Sequence, residues 1–241
     1  MASIPPERPA AVQGDIPPLI TFDAGQTLVE LDLDFLAVRL AERGVTVESD
    51  VLGAAAPAAW RRYDALVTGA AGHPWRELMT TLLTGAGVAE PAPLVDWLWS
   101  QQPAANLWRR PLPAMLDLAR ELSAAGAIVG VLSNSEGRLA ELFVEIGIAA
   151  PFAAIIDSGR VGIEKPDPRI FEHTALALGV PGQPGIHIGD SWSADIAGAL
   201  AAGWRAIWFG PHVQPVDDPR VATARQPSEA RAALARWGVL V

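Results

Sequence analysis

The chain of 241 residues has no cysteine and a single lysine, and charged residues make up only 19% of it. Without cysteine there is no disulfide framework, no thiolate metal site and no cysteine nucleophile. Basic residues are outnumbered 18 to 27, for a net charge of −9, and no long basic run occurs. That argues against nucleic acid or an anionic membrane surface as the main partner. No apolar run approaches the roughly 18 residues needed to span a bilayer. The opening "MASIPPERPAAVQGDIPP" has prolines and Glu7 where a secretion signal would need an apolar segment. Residues 1–17 therefore read as an extended tail, and the chain as cytoplasmic.

What is present is an ordinary globular composition, half of it hydrophobic. The length allows one sizeable core, or a core with a smaller insertion. The lone lysine, Lys165 in "GIEKPDP", stands in a chain that otherwise uses arginine. A compact point charge on a flexible stem suits a phosphate or carboxylate clamp.

Short apolar runs recur at "PLITFD", "AIVGVLSNS", "FAAIIDSG", "GIHIGDS" and "RAIWFGP". Amphipathic stretches such as "RLAELFVEIGI", "PRIFEHTALALGV" and "SADIAGALAAG" separate the later ones. Strands alternating with helices predict an α/β fold whose parallel sheet is covered on both faces. The first two strands break this rhythm, because the chain reads as helical from Leu28 to about Trp108. So long a crossover predicts a helical domain over residues 31–108, inserted into a core of residues 18–30 and 109–241. Five of the nine tryptophans fall in the insertion or at its exit. "QPSEARAALARW" predicts one closing helix.

Ligands of open parallel sheets bind at the carboxyl ends of the strands. Those ends carry Asp23 and Thr27, then Ser133 and Asn134, then Lys165, then Asp190 and Asp195 within "GDSWSAD". Each residue alone has a plainer explanation, such as a turn or a helix cap. Together they make coherent chemistry. Three converging carboxylates repel unless a cation joins them, and oxygen ligands suit Mg²⁺. Mg²⁺ and Lys165 would neutralise a phosphoryl dianion and let anionic Asp23 approach it. Thr27 and Ser133, with Asn134 beside them, would hold the transferred group of a small-molecule substrate. Asp23 would then form an aspartyl-phosphate.

"FDAGQTL", "VLSNSEG", "GIEKPDPRIF" and "HIGDSWSADIAGALAAG" resemble the four signature motifs of the haloacid dehalogenase-like (HAD) hydrolase superfamily, in the right order across about residues 18 to 210. The resemblance implies a Rossmann-like core with strand order 5-4-1-2-3 and a helical cap inserted after the first strand. It also implies Asp23 as nucleophile, Thr27 and Ser133 as ligands of the transferred group, and Lys165 as its orienting cation. Asp190 is the implied Mg²⁺ ligand, with Asp195 holding the metal site and Gly25 contributing a main-chain oxygen.

Gly25 is also the departure from the pattern. Phosphatases of this superfamily carry there a second aspartate, which protonates the leaving oxygen and then activates water. Glycine does neither, and such help is typically worth about 10²–10⁴-fold. An alkyl alcohol needs that proton, whereas a nitrophenolate or acyl leaving group needs it far less. Three readings follow: a Mg²⁺-dependent phosphatase, a carbon-centred hydrolase such as a dehalogenase, and a silent phosphate-binding relative. Dehalogenases also lack the second aspartate, but they do not need the metal, and here both Asp190 and Asp195 persist. The phosphatase reading is the one expected.

Trp60, Arg61, Arg62, Tyr63, His73, Trp75 and Arg76 are conspicuous in the insertion, where a cap would select substrate and exclude water. For any one of them, packing of the tryptophans and solvation of the arginines is the simpler explanation. Trp192 lies within the fourth motif and reads as cover for the core. His187 reads as a satisfied core histidine and His173 as structural, while His212 follows the last strand, from which it could reach the edge of the site.

Overall fold

The computed structural model describes residues 16–67 and 74–240. His73 and all but the last two residues of the expected tail lie outside that range. The strands are β1 (Leu19–Phe22), β2 (Val29–Leu31), β3 (Trp108–Pro111), β4 (Ile128–Ser133), β5 (Ala154–Asp157), β6 (Ile186–Gly189), β7 (Arg205–Phe209) and β8 (Val221–Ala224). Six of them form one parallel sheet in the order β5-β4-β1-β6-β7-β8. β1 lies at its centre with all four residues buried, as a strand covered on both faces requires.

Successive side chains of a strand point to opposite faces, and β1 divides accordingly. Ile20 and Phe22 join Val129, Val131, Ile188 and Ile207 on one face, under helices Pro113–Ala124 and Pro227–Arg236. Leu19 joins Leu132, Ile170, Phe171 and Trp204 on the other, where helix Pro168–Ala177 packs.

The five expected strands take the order 5-4-1-2-3, with β7, β6, β1, β4 and β5 in those places. Two features differ from expectation. β8 adds a sixth strand outside β7, and its "VATA" offers no apolar run that would mark it in the sequence. β2 and β3 pair antiparallel at the two ends of the stretch that the sequence predicts to be helical. Strands of three and four residues are too short to show a period of two against helical neighbours. The expected boundaries at 30/31 and 108/109 fall inside this ribbon.

Between β2 and β3 run helices Leu33–Ala41, Ser49–Val67, Trp75–Gly85 and Pro91–Gln101. They share an apolar core of their own, including Leu36, Leu40, Leu52, Leu78 and Leu82. Trp75, Leu78, Met79, Leu82 and Leu83 are its contribution from one helix, at the spacing of a single helical face. Asp32 starts the first helix by accepting a hydrogen bond from the Phe35 N–H at 2.9 Å.

Candidate active site

The carboxyl ends of β1, β4 and β6 meet at one point. Asp23 leaves β1 into a tight turn in which the Ala24 carbonyl accepts from the Leu28 and Val29 amides at 2.8 and 2.9 Å. Gln26 takes a left-handed conformation there, φ 55°. Ser133 ends β4. Asp190 follows β6, and Asp195 sits on the π-helical turn Trp192–Ile196. Irregular turns of this kind often mark functional sites. This one brings the Asp195 carboxyl back against β6 at Gly189, where a Cβ would collide with it.

Lys165 is the hub, only 3% exposed. Its Nζ donates to Asp23 Oδ1 at 2.7 Å, to Asp195 Oδ1 at 2.5 Å and to the Leu132 carbonyl at 2.8 Å. All three ammonium protons are thereby used. Burial would lower its pKa, but Asp195 and Asp23 outweigh that and hold it above the ordinary lysine value. Asn134 fixes the loop, since its Nδ2 donates to the Lys165 carbonyl at 2.9 Å and its Oδ1 accepts from the Lys165 N–H at 2.8 Å. The amide expected to touch substrate thus has both ends on the lysine's backbone.

One oxygen from each of Asp23, Asp190 and Asp195 lies within 4.8 Å of the others. Asp195 also accepts from the Ser191 N–H at 2.9 Å through Oδ2 and meets His187 Nε2 at 3.0 Å through Oδ1. Burial would raise its carboxyl, but Lys165 and then His187 hold it well below the usual range. Asp190 goes the other way: burial, then the charges of Asp195 and Asp23, push it well above. Burial and Lys165 push His187 down. Its neutral ring then donates from Nε2 to Asp195 and accepts at Nδ1 from the Thr21 hydroxyl, 2.8 Å away. His187 is a core histidine, as expected, and it also aims Asp195.

Three carboxylates against one lysine leave negative charge uncompensated, which the raised Asp190 registers. An oxygen-only donor set of this kind fits a hard divalent cation.

A cavity of about 570 Å³ opens above these groups, within the usual range for small-molecule sites. Asp23, Gly25, Ser133, Asn134, Lys165, Asp190 and Asp195 all reach its wall. Thr27 is not on that wall; it is fully buried, and its Oγ1 has no hydrogen-bond partner among the described residues. Trp60, Tyr63 and Trp75 line the cavity, whereas Arg61, Arg62 and Arg76 do not. Trp192 packs against Trp208 at 5.1 Å with the rings tilted by 60°, and it remains 41% exposed. His173 and His212 are exposed and off the wall.

Two residues with a structural part here escaped the sequence. Asp157, at the end of β5, accepts from the Gly137, Leu139 and Gly159 amides at 2.9–3.0 Å and so shapes the loop after β4. Its position at a strand end in "IIDSG" was a usable signal. Trp108 packs its indole beside Gly25, and no local pattern announces that.

Residues 18–203 match the model of the haloacid dehalogenase-like hydrolase family. The chain belongs to this family. Haloacid dehalogenase-like hydrolase domain-containing protein 3 of Bos taurus is 31% identical over 215 residues, covering 83% of this chain and 84% of the relative. A phosphoserine phosphatase of Thermus thermophilus is 36% identical over 107 residues, 42% of this chain and 43% of its own length. The crystal structure of a 2-haloacid dehalogenase from Pseudomonas syringae superposes with a TM-score of 0.55 at 26% identity, covering 92% of this chain and 100% of the other. Family membership makes the chain a HAD-like hydrolase with phosphatases and dehalogenases among its relatives. Among the described residues, no helix is long and apolar enough to cross a membrane.

Proposed function

We propose that this HAD-like hydrolase is a Mg²⁺-dependent phosphatase of a small phosphorylated metabolite, working through an aspartyl-phosphate on Asp23. The observation carrying this reading is the contact of Lys165 Nζ with Asp23 Oδ1 at 2.7 Å, beside three carboxylates whose oxygens lie within 4.8 Å of one another. Lys165 holds one oxygen of Asp23, and no described residue hydrogen-bonds to the other. That oxygen is the candidate nucleophile. Asp23, Asp190 and Asp195 would hold Mg²⁺, with the Gly25 carbonyl as the family's main-chain ligand. When bound there, the ion supplies charge to the phosphoryl oxygens. Ser133 on the cavity wall positions the transferred group, and Asn134 positions Lys165. The helices of residues 31–108 serve as the cap that screens the site from water.

The test is phosphate release from p-nitrophenyl phosphate with and without Mg²⁺, with Asp23→Asn as control. Its leaving group makes little demand on the acid absent at Gly25. Metal-dependent release that the substitution abolishes is expected, and no release above the control sinks the reading. Gly25 also favours a second reading, a carbon-centred hydrolase, which predicts halide release from a 2-haloacid that survives chelation.

A further inference from the structure

Among the described residues eleven glycines take a positive φ, and Gln26 is the one residue of another type that does, at 55°. That conformation is free for glycine and strained for a residue with a Cβ. The turn imposes it. The Gln26 N–H donates to the Val29 carbonyl at 2.7 Å, and Ala24, Leu28 and Val29 on either side are buried in the core. Glycine would satisfy this turn without strain, yet the chain carries an amide there.

Gln26 bears a second cost. Its Nε2 is buried and has no hydrogen-bond partner among the described residues. A buried donor left unpaired has given up water and gained nothing in exchange. Backbone strain persists where the surrounding structure holds it, and it clusters at functional sites. Gln26 stands at such a place, on the cavity wall with Asp23 and one residue beyond Gly25, the position of the missing acid.

Resting on the phosphatase reading above, we infer that Gln26 positions the water that hydrolyses the aspartyl-phosphate. A primary amide donates and accepts at once, and glutamine orients the attacking water in GTP hydrolysis in this way. Attack in line with the breaking bond brings the water to the side of phosphorus opposite Asp23, the place the ester oxygen has left. Gln26 Oε1 accepts from that water, and Nε2 gains its missing partner by donating to a phosphoryl oxygen. The water oxygen bonds to phosphorus as the bond from phosphorus to the Asp23 oxygen breaks. The electron pair returns to the Asp23 carboxylate, one water proton goes to solvent, and inorganic phosphate leaves with the other. Glutamine supplies orientation, without proton transfer, at the step that Gly25 leaves without a base. Expulsion of the ester's leaving group by Asp23 involves no water and does not need it placed.

The experiment follows p-nitrophenolate release from p-nitrophenyl phosphate before and during steady state, on the full chain with Mg²⁺, for the parent, Gln26→Gly and Gln26→Asn. Glycine fits the turn but has no amide. Asparagine tolerates the left-handed conformation and holds its amide one methylene short. In both variants the first equivalent per site should appear at the parent's rate. Later turnovers should slow by about tenfold or more, as loss of a positioned water would give. Acid-quenched variants should carry phosphate in a larger fraction of molecules than the parent, read by mass. Gln26→Gly should melt no lower than the parent, because it relieves the strain; a lower melting point would make the side chain a stabilising one and overturn the inference. Later turnovers unchanged in both variants, or a first equivalent slowed as much as the later ones, also overturn it and leave the phosphatase reading standing. Release by the parent no faster than by Asp23→Asn overturns the phosphatase reading itself, and the inference with it.

Discussion

Trp108 and Gly25 meet across the mouth of the turn that follows Asp23, with indole Cδ1 3.4 Å and Nε1 3.8 Å from where a Cβ on Gly25 would stand. Both are ordinary van der Waals distances, so the position has room for a Cβ. Gly25→Asp should therefore fold and restore a proton donor. General acid–base help is worth about 10²–10⁴-fold, and turnover of an alkyl phosphate should rise by at least about tenfold. Turnover of an aryl phosphate should change much less. Rates on the two ester types, before and after substitution, decide it. An unchanged alkyl rate would mean that the absent acid is not what limits turnover.

Lys165 lies between two buried carboxylates, Asp23 and Asp195, with their side chains and its own at most 11% exposed. Lys165→Met leaves both without their cation. Removing one partner of a buried pair costs about 3–5 kcal/mol, so the midpoint of chemical denaturation should fall accordingly. A midpoint unchanged by the substitution would contradict the ion-pair account.

Asp190 faces the charges of Asp23 and Asp195, and that crowding raises its carboxyl. Without metal, Asp190→Asn relieves the repulsion, and the variant should melt no lower than the parent. With Mg²⁺ at about 100 times its dissociation constant, the parent should gain ~2.7 kcal/mol, roughly 5–10 °C in a chain of this size. The variant should lose most of that gain. Thermal melts with and without the ion measure both effects, and an intact shift in the variant would remove Asp190 from the metal site.

Glu136 lines the cavity as an exposed residue, and desolvation there raises its carboxyl above 4.5 despite hydrogen bonds from its own backbone, Ser135 and Asn106, the last two at 3.2 Å. A raised folded-state pKa means that the native protein binds this proton more tightly than the unfolded chain. Its stabilising contribution is full below pH 4.5 and is lost as pH rises through the folded-state value. Glu136→Gln mimics the protonated form at every pH. The variant should therefore melt above the parent at pH 7, and the two should converge near pH ~4. Melting curves across that interval would show the convergence, and parallel curves would refute it.

Much of the site was legible because a parallel sheet brings its strand ends together. Asp23, Ser133 and Asp190 each follow an apolar run, and topology alone places such residues side by side. Lys165 could be found because it is the only lysine. β8 and the β2–β3 ribbon were not legible, since all three strands are short and carry little periodicity of their own, and β2 meets β3 only across the inserted helices. Thr27 was read as a ligand from its place after the first strand, but the tight turn buries its hydroxyl.

The sequence by itself determined the parallel α/β core, the helical insertion and the acid–lysine set, because apolar periodicity and order along the chain specify them locally. Tertiary structure decided what those groups do to one another. It alone turned Asn134 toward the Lys165 backbone, His187 toward Asp195 and Trp108 toward Gly25. Asn134 and Lys165, like Gly25 and Trp108, stand far apart along the chain. Their meeting depends on how the packed layers bring distant segments together, which no local pattern records.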